Sequence, residues 1–220
     1  MYFANRAEAG RLLAERLAHL RGTEVVVFAL PRGGVATAAE IARFLDAPLD
    51  LVIARKIGHP RSPEYAIAAI AEDGHMIGSE EELAMADPNW LDREKERQRA
   101  EARRRREAYL GARAPLPVEG KTAILVDDGV VTGLTLRVGI KELRHRRPKR
   151  LIVAVPVIPG STAELVREEA GELVALEIPE DRRYLGAVGA YYDDFAPVED
   201  AEVVALLARS APAESNRHGT

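Results

Sequence analysis

The chain has 220 residues, 47% of them hydrophobic and 30% charged, with a net charge of -4 and no cysteine. That suffices for one α/β domain with a sizeable core, and it excludes disulfides, thiolate catalysis, cysteine metal sites and any global pull toward nucleic acid or acidic membranes. No apolar run approaches the length of a membrane span, and the opening MYFANRAEAG lacks a signal-peptide core, so a cytoplasmic location is expected.

Asn5 with Glu8 three residues on predicts a capped helix start, after which Ala9, Leu12, Leu13, Leu17 and Leu20 share one face. Val25 to Leu30 reads as a short strand. It ends at the turn Pro31-Arg32-Gly33-Gly34, and Val35, Ala38, Ala39, Ala42 and Leu45 then repeat at helical spacing. An arginine between proline and two glycines sets a cation beside accessible backbone N–H groups, which suits an anion; a plain turn with a solvent-facing arginine is the alternative. Leu49 to Ala54 predicts the next strand, with Arg55 and Lys56 at its ligand-facing end.

Gly58 to Tyr65 is rich in Gly and Pro and is expected to be a mobile loop. Ala66 to Ala71 and His75 to Gly78, joined through Asp73-Gly74, have the outline of a hairpin. Asp87-Pro88-Asn89 signals a helix start. The charged segment up to Leu110 then reads as a solvated helix in which Glu101 meets Arg105 and Arg103 meets Glu107 at i,i+4. The run Arg103 to Arg106 exceeds what such pairing needs, so a nucleic-acid or phosphate patch is the other reading.

Thr122 to Val126 is a β-branched apolar run, read as a buried parallel strand, and it stops at Asp127-Asp128 before Gly129-Val130-Val131-Thr132-Gly133-Leu134-Thr135. Glycines and threonines at the entry to a helix offer unpaired backbone N–H groups and hydroxyls to a phosphate. Two carboxylates beside that cradle would repel a bare phosphate, so neighbouring sugar hydroxyls are their natural partners, and a phosphorylated ribose is the ligand expected. The spacing fits neither a Walker loop nor a dinucleotide fingerprint.

Leu136, Ile140 and Leu143 stripe the following helix, the basic run Lys141 to Arg150 closes it, and Pro148 stops it. Arg150 to Val155 and Leu173 to Ile178 read as strands, and Ser161-Thr162-Ala163-Glu164 as a capping box that starts the helix between them. The stretch 179–197 lacks periodicity and gathers Tyr184, Tyr191, Tyr192 and Phe195, whose rings suit a planar heterocycle or else pack a small subdomain or dimer contact. Glu199 or Asp200 begins a last helix, and 210–220 is expected to fray. Alternating strands and helices predict an α/β fold with a mostly parallel twisted sheet flanked by helices.

The segment Val126 to Thr135 resembles the phosphoribosyl-pyrophosphate (PRPP) motif of the type I phosphoribosyltransferases: an apolar strand, two acids, a short loop, then Thr-Gly-x-Thr. The resemblance implies a single domain over 1–220, with a flexible loop or hairpin at 58–78, an inserted charged helix at 88–111, and a hood plus C-terminal helix at 179–209. It implies transfer of a 5-phosphoribosyl group from PRPP to a nitrogen acceptor such as a nucleobase, with release of pyrophosphate, in a cytoplasmic enzyme that commonly forms homodimers. Asp127 and Asp128 would hold the ribose, Gly129 through Thr135 the 5-phosphate, and Arg32, Gly33, Gly34 and Lys56 the pyrophosphate. The family's pyrophosphate loop often carries a non-proline cis peptide, so one is expected at this turn. Mg2+ would be held by substrate oxygens and water, without direct protein ligands. Tyr184 and Tyr191 are candidates for the acceptor platform, from a looser likeness to the hood of hypoxanthine-type enzymes. Two rivals remain open: a PRPP-sensing or RNA-binding regulator on the same fold, and a phosphate-binding α/β domain with Asp127 as phosphoryl acceptor.

Overall fold

The computed structural model describes residues 2–210. In chain order it contains α1 (Arg6–Arg16), β1 (Val25–Ala29), α2 (Gly33–Leu45), β2 (Leu49–Leu51), β3 (Ala54–His59), β4 (Ser62–Ala71), β5 (Met76–Gly78), α3 (Glu80–Met85) and α4 (Pro88–Leu110). There follow β6 (Thr122–Val126), α5 (Leu134–His145), β7 (Arg150–Val157), α6 (Gly160–Ala170), β8 (Gly171–Glu177) and α7 (Asp200–Arg209). Short 3-10 turns lie at Asp181–Arg183 and Val188–Tyr191. The expected fraying of 210–220 falls, beyond Ser210, outside the described residues.

A five-stranded parallel sheet runs in the order β2-β1-β6-β7-β8, and a separate antiparallel sheet runs β3-β4-β5. The strands of the large sheet read as continuous apolar runs because both faces are covered. Val25, Val27, Ala29, Ile124, Val126, Ile152 and Ala154 pack toward α1, α2, α4 and α7, while Val26, Phe28, Ala123, Leu125, Val153 and Val155 pack toward α5 and α6. The order reverses between β1 and β6: α2 and β2 lie to one side, and β7 and β8 to the other. The crevice beyond the carboxyl ends of β1 and β6 is therefore the topological switch point of the sheet. Register brings those ends level, with Ala29 opposite Val126 and Leu30 N–H donating to Val126 O at 3.0 Å.

Four sequence expectations need correction. The apolar run from Leu49 is not one strand: the chain leaves the large sheet after Leu51 and re-enters regular structure at Ala54 as β3 of the small sheet. Gly58 to Tyr65 is not a loop either, since β3 and β4 pair through it and only Pro60-Arg61 turns; Gly58 allows the bulge there, for a Cβ on it would lie 2.0 Å from Pro63 O. Ser161 does not cap α6. It lies inside the helix, and its N–H donates to the Asp181 carboxylate 20 residues on, a cap supplied by the tail.

The fourth correction concerns α4. Its start matches expectation, with the Asp87 carboxylate accepting from Trp90 N–H at 2.7 Å, and Glu101 pairs with Arg104 and Arg105. Yet Gln98, Ala102, Arg106 and Tyr109 form a buried stripe, so the helix is docked rather than solvated. Arg106, 7% exposed, donates to Leu51 O at 3.1 Å and to the Asp50 carboxylate at 3.0 Å; Asp50 is fully buried and also accepts from Leu116 N–H at 2.7 Å. Arg113 completes the cluster by donating to Leu49 O at 2.7 Å. Strand β2 is the last of its sheet on this side, and its outward-facing carbonyls need donors that a neighbouring strand would otherwise supply.

One buried acid makes stability depend on pH. Glu142 on α5 is 2% exposed and pairs with Arg146, but its second oxygen has no partner among the described residues. Burial pushes its carboxyl up to about 7 from an ordinary 4.5, opposed by Arg146 and reinforced by Asp73. The folded state therefore holds a proton that the unfolded chain has released between those values, so this contribution to stability is complete below 4.5 and is lost as pH rises through about 7. The loss amounts to roughly 3 kcal/mol at most. Glu142→Gln removes it: melting curves should show the variant gaining on the parent by roughly 5 °C or more on going from about pH 5 to about pH 8. A difference that stays constant across that range would refute the assignment.

Candidate active site

The crevice at the switch point is built from two loops. The first, Pro31 to Gly34, contains the expected non-proline cis peptide, between Pro31 and Arg32, and runs straight into α2. The Arg32 side chain is partly exposed and lies 3.6 Å from the Asp200 carboxylate at the start of α7. Tyr109 of α4 donates to the same carboxylate at 2.7 Å, so the docked helix and the C-terminal helix together position the arginine. Burial, with that hydrogen bond, pushes the Tyr109 hydroxyl up to about 12.

The second loop carries the acid pair. Asp128 N–H donates to Asp127 Oδ1 at 2.9 Å, and burial together with the neighbouring Asp128 charge raises the Asp127 pKa well above the usual carboxylate range. Asp128 is bound by a residue that the sequence reading does not single out. Arg6, on the first turn of α1, donates from Nε to Asp128 Oδ2 at 2.7 Å, the two side chains being 11% and 15% exposed. Arg6 also donates to Ala196 O at 2.8 Å and lies 3.7 Å over the Phe195 ring, which fixes its guanidinium from three sides. Tyr192 completes the support, its hydroxyl donating to Asp128 O at 2.6 Å.

The loop beyond the acids is shaped by close approach. Gly129 lies against Val188 of the tail and Gly133, at φ +72°, against Thr162 of α6; a Cβ on either would fall within 2.4 to 2.7 Å of those side chains. Gly133 precedes α5 directly, so the first-turn N–H groups of that helix face the crevice end of the sheet. Thr132 is exposed and Thr135 partly so, and neither hydroxyl has a hydrogen-bond partner among the described residues.

The two loops touch. Gly33 is pressed against Asp128, since a Cβ there would lie 1.8 Å from Oδ2, and a Cβ on Gly34 would lie 2.9 Å from Val126 O. The pleat of the small sheet separates Arg55 from Lys56. Lys56 is opposite Ala69, on the face where Ala54, Ala69 and Ala71 pack on Leu134 and Val138 of α5, the helix that springs from the acid loop. Arg55 is opposite Ile70, on the face turned to α4, where its Nε donates to Gln98 Oε1 at 3.1 Å.

The tail closes the crevice on the remaining side, though not with the tyrosines anticipated. Tyr191 is buried with Phe3 and Val157, accepts a hydrogen bond from Leu185 N–H at 3.1 Å, and packs 5.5 Å from Tyr184. Both rings build the tail's own small core. Tyr192 and Phe195 are the rings that reach the acid pair. The signal for Arg6 is absent from local sequence because its partner lies 122 residues away.

Comparisons with known proteins show the family and the fold. The profile of the phosphoribosyl transferase domain family matches residues 1–189. Proteins of two Mycobacterium tuberculosis strains, provisionally named phosphoribosyl transferases, are 39% identical over 210 residues, which is 94% of this chain and 47% of theirs. The chain thus spans about half the length of the curated relatives it matches. The crystal structure of TT1426 from Thermus thermophilus is 43% identical and superposes with a TM-score of 0.79 over 96% of this chain and all of that one.

Proposed function

Because the chain belongs to the phosphoribosyl transferase domain family, we propose that it binds PRPP and transfers the 5-phosphoribosyl group to a nitrogen acceptor, releasing pyrophosphate. The observation that carries this reading is the contact of Gly33 with Asp128, which joins the arginine-glycine turn and the acid pair into one crevice. In that crevice the first-turn N–H groups of α5 and the hydroxyls of Thr132 and Thr135 seat the 5-phosphate. Asp127 and Asp128 accept from the ribose hydroxyls. Asp128 keeps Oδ1 for that purpose while Oδ2 stays with Arg6. The acceptor nitrogen attacks C1 as the C1–O bond to pyrophosphate breaks, with inversion; the two carboxylates stabilise the positive charge that develops on the ring, and Arg32, Lys56 and the N–H groups of Gly33 and Gly34 take up the charge of the departing group. Tyr192 and Phe195 back the acid pair from within the tail, Tyr192 holding Asp128 O and Phe195 lying under Arg6.

Among the described residues no three His, Asp or Glu side chains converge as a metal cage. The donors on hand, one oxygen or two of the acid pair, fit a Mg2+ ion that arrives on substrate oxygens and water rather than a resident ion. Bound there, Mg2+ supplies charge neutralisation to the pyrophosphate. The regulatory alternative has no comparable support. Arg106 is buried on Asp50, and Arg104 and Arg105 are paired to Glu101, so the arginine run is largely committed within the chain.

Calorimetry with PRPP and Mg2+ tests the reading. The parent should bind, and Thr132→Val and Asp128→Asn should each weaken binding at least tenfold; Thr132→Val should melt close to the parent, and Asp128→Asn should remain folded but melt lower, since it leaves the nearly buried Arg6 without its counter-charge. A panel of purines, pyrimidines and other nitrogen heterocycles, scored by pyrophosphate release from labelled PRPP, then identifies the acceptor. No heat of binding at millimolar PRPP would overturn the proposal.

A further inference from the structure

The tail grips Asp128 twice. Its main-chain oxygen accepts from the Tyr192 hydroxyl at 2.6 Å, and its carboxylate is held by Arg6, whose guanidinium is itself set by the tail through Ala196 O at 2.8 Å and the Phe195 ring at 3.7 Å. Asp127 is tied within its own loop, by the N–H of its neighbour at 2.9 Å. The chain just ahead of Arg6 is zipped to the same tail segment by main-chain bonds: Phe3 N–H donates to Tyr191 O at 2.9 Å, Asp193 N–H to Phe3 O at 2.9 Å and Asp194 N–H to Ala4 O at 3.0 Å. The fully buried Phe3 adds its ring 5.3 Å from that of Tyr192, which lies 4.9 Å from Phe195. Docking of the N-terminus therefore does not depend on the Arg6 guanidinium, and that group has another task.

Two adjacent carboxylates repel, and an aspartate with a choice of rotamers would turn away from its neighbour unless held. A planar guanidinium bonded through Nε and through a terminal nitrogen fixes the direction in which the carboxylate points, which a point charge does not. The turn bearing Gly33 rests on this same bond, since a Cβ there would lie 1.8 Å from Asp128 Oδ2 and 3.0 Å from Arg6 Nε. The spacing between the arginine-glycine turn and the acid pair is thus set against it. We propose that Arg6 is a positioning residue: it locks the Asp128 carboxylate in one orientation toward the ribose and so makes the tail around 191–196 part of what shapes the PRPP site. Arg6 acts through Asp128 and not by touching the ligand. The assignment rests on the PRPP reading for its ligand and on the contacts above for the lock, so the two are tested apart.

The lock is tested first without ligand, by hydrogen exchange read by mass spectrometry. Arg6→Gln should speed exchange at least tenfold in peptides covering 127–133, where the N–H groups of Asp128 and Val130 are bonded in the parent, and should leave strand β7 unchanged. Calorimetry with PRPP and Mg2+ then tests the positioning. Arg6→Gln should weaken binding at least tenfold on its own, but by no more than about twofold when added to Asp128→Asn, because a residue that works through Asp128 has nothing left to position. Arg6→Lys keeps the counter-charge and should melt within about 3 °C of the parent. An ammonium cannot bond Asp128 Oδ2 and Ala196 O along fixed directions, so this variant should still bind at least threefold more weakly. Unchanged exchange in Arg6→Gln would overturn the lock whatever the ligand. Losses that multiply in the double variant, or parent affinity in Arg6→Lys, would overturn the positioning role. A parent that gives no heat with PRPP overturns the PRPP reading, and the exchange comparison then decides the lock by itself.

Discussion

Asp50→Ala should unfold at least 3 kcal/mol more easily than the parent, within the range of roughly 3 to 5 kcal/mol seen when one partner of a buried ion pair is removed. The size follows from what is left behind. Arg106 remains 7% exposed with its charge uncompensated, Arg113 loses the carboxylate 3.6 Å away, and the N–H groups of Leu51 and Leu116 lose their acceptor. For a chain of this length the melting temperature should fall by about 10 °C. The double variant Asp50→Ala, Arg106→Met should recover a large part of the loss, because the cost lies in the stranded charge more than in the absent attraction. A loss below about 1 kcal/mol for the single variant, measured by urea unfolding, would show that water reaches the cluster.

Gly33→Ala should cost more than a hundredfold in PRPP affinity while leaving the fold within about 2 kcal/mol of the parent. The added methyl would sit 1.8 Å from Asp128 Oδ2, 2.6 Å from its Cγ and 3.0 Å from Arg6 Nε, so either the carboxylate must leave Arg6 or the turn must retreat from the crevice. Both movements separate groups that the proposed chemistry needs together, and a displacement of 1 Å at such a site is already worth about a factor of a hundred. Stability is touched less because Gly33 opens α2, where Ala is a better helix former than Gly. Calorimetric titration of the variant decides the matter, and an affinity within threefold of the parent would remove Gly33 and Asp128 from the shared site.

Much of the architecture is readable in the sequence because it is local. The three central parallel strands, β1, β6 and β7, announce themselves as β-branched runs, Asn5 caps α1 by accepting from Glu8 N–H as the spacing predicts, and the acid-glycine-threonine loop lies where a switch point puts a ligand. What escapes depends on pairing across the chain. Nothing near Arg106 says that its carboxylate is Asp50, 56 residues earlier, so a buried arginine looks like part of a solvated run. Arg6 is hidden for the same reason. In β3 and β4 the obstacle is composition: Gly58, Pro60 and Pro63 read as loop, whereas an antiparallel pair accommodates them at a bulge, a turn and a strand start. The α6 cap is misread because Asp181, with no sequence proximity, takes the place expected of Ser161.

The arginine clamp on β2 also limits how copies of the chain can assemble. The carbonyls of Leu49 and Leu51, which an incoming backbone would have to engage, are already occupied by Arg113 and Arg106. Lateral growth is thereby barred at that margin. A complex that lengthened the large sheet would have to add its ribbon alongside β8 instead.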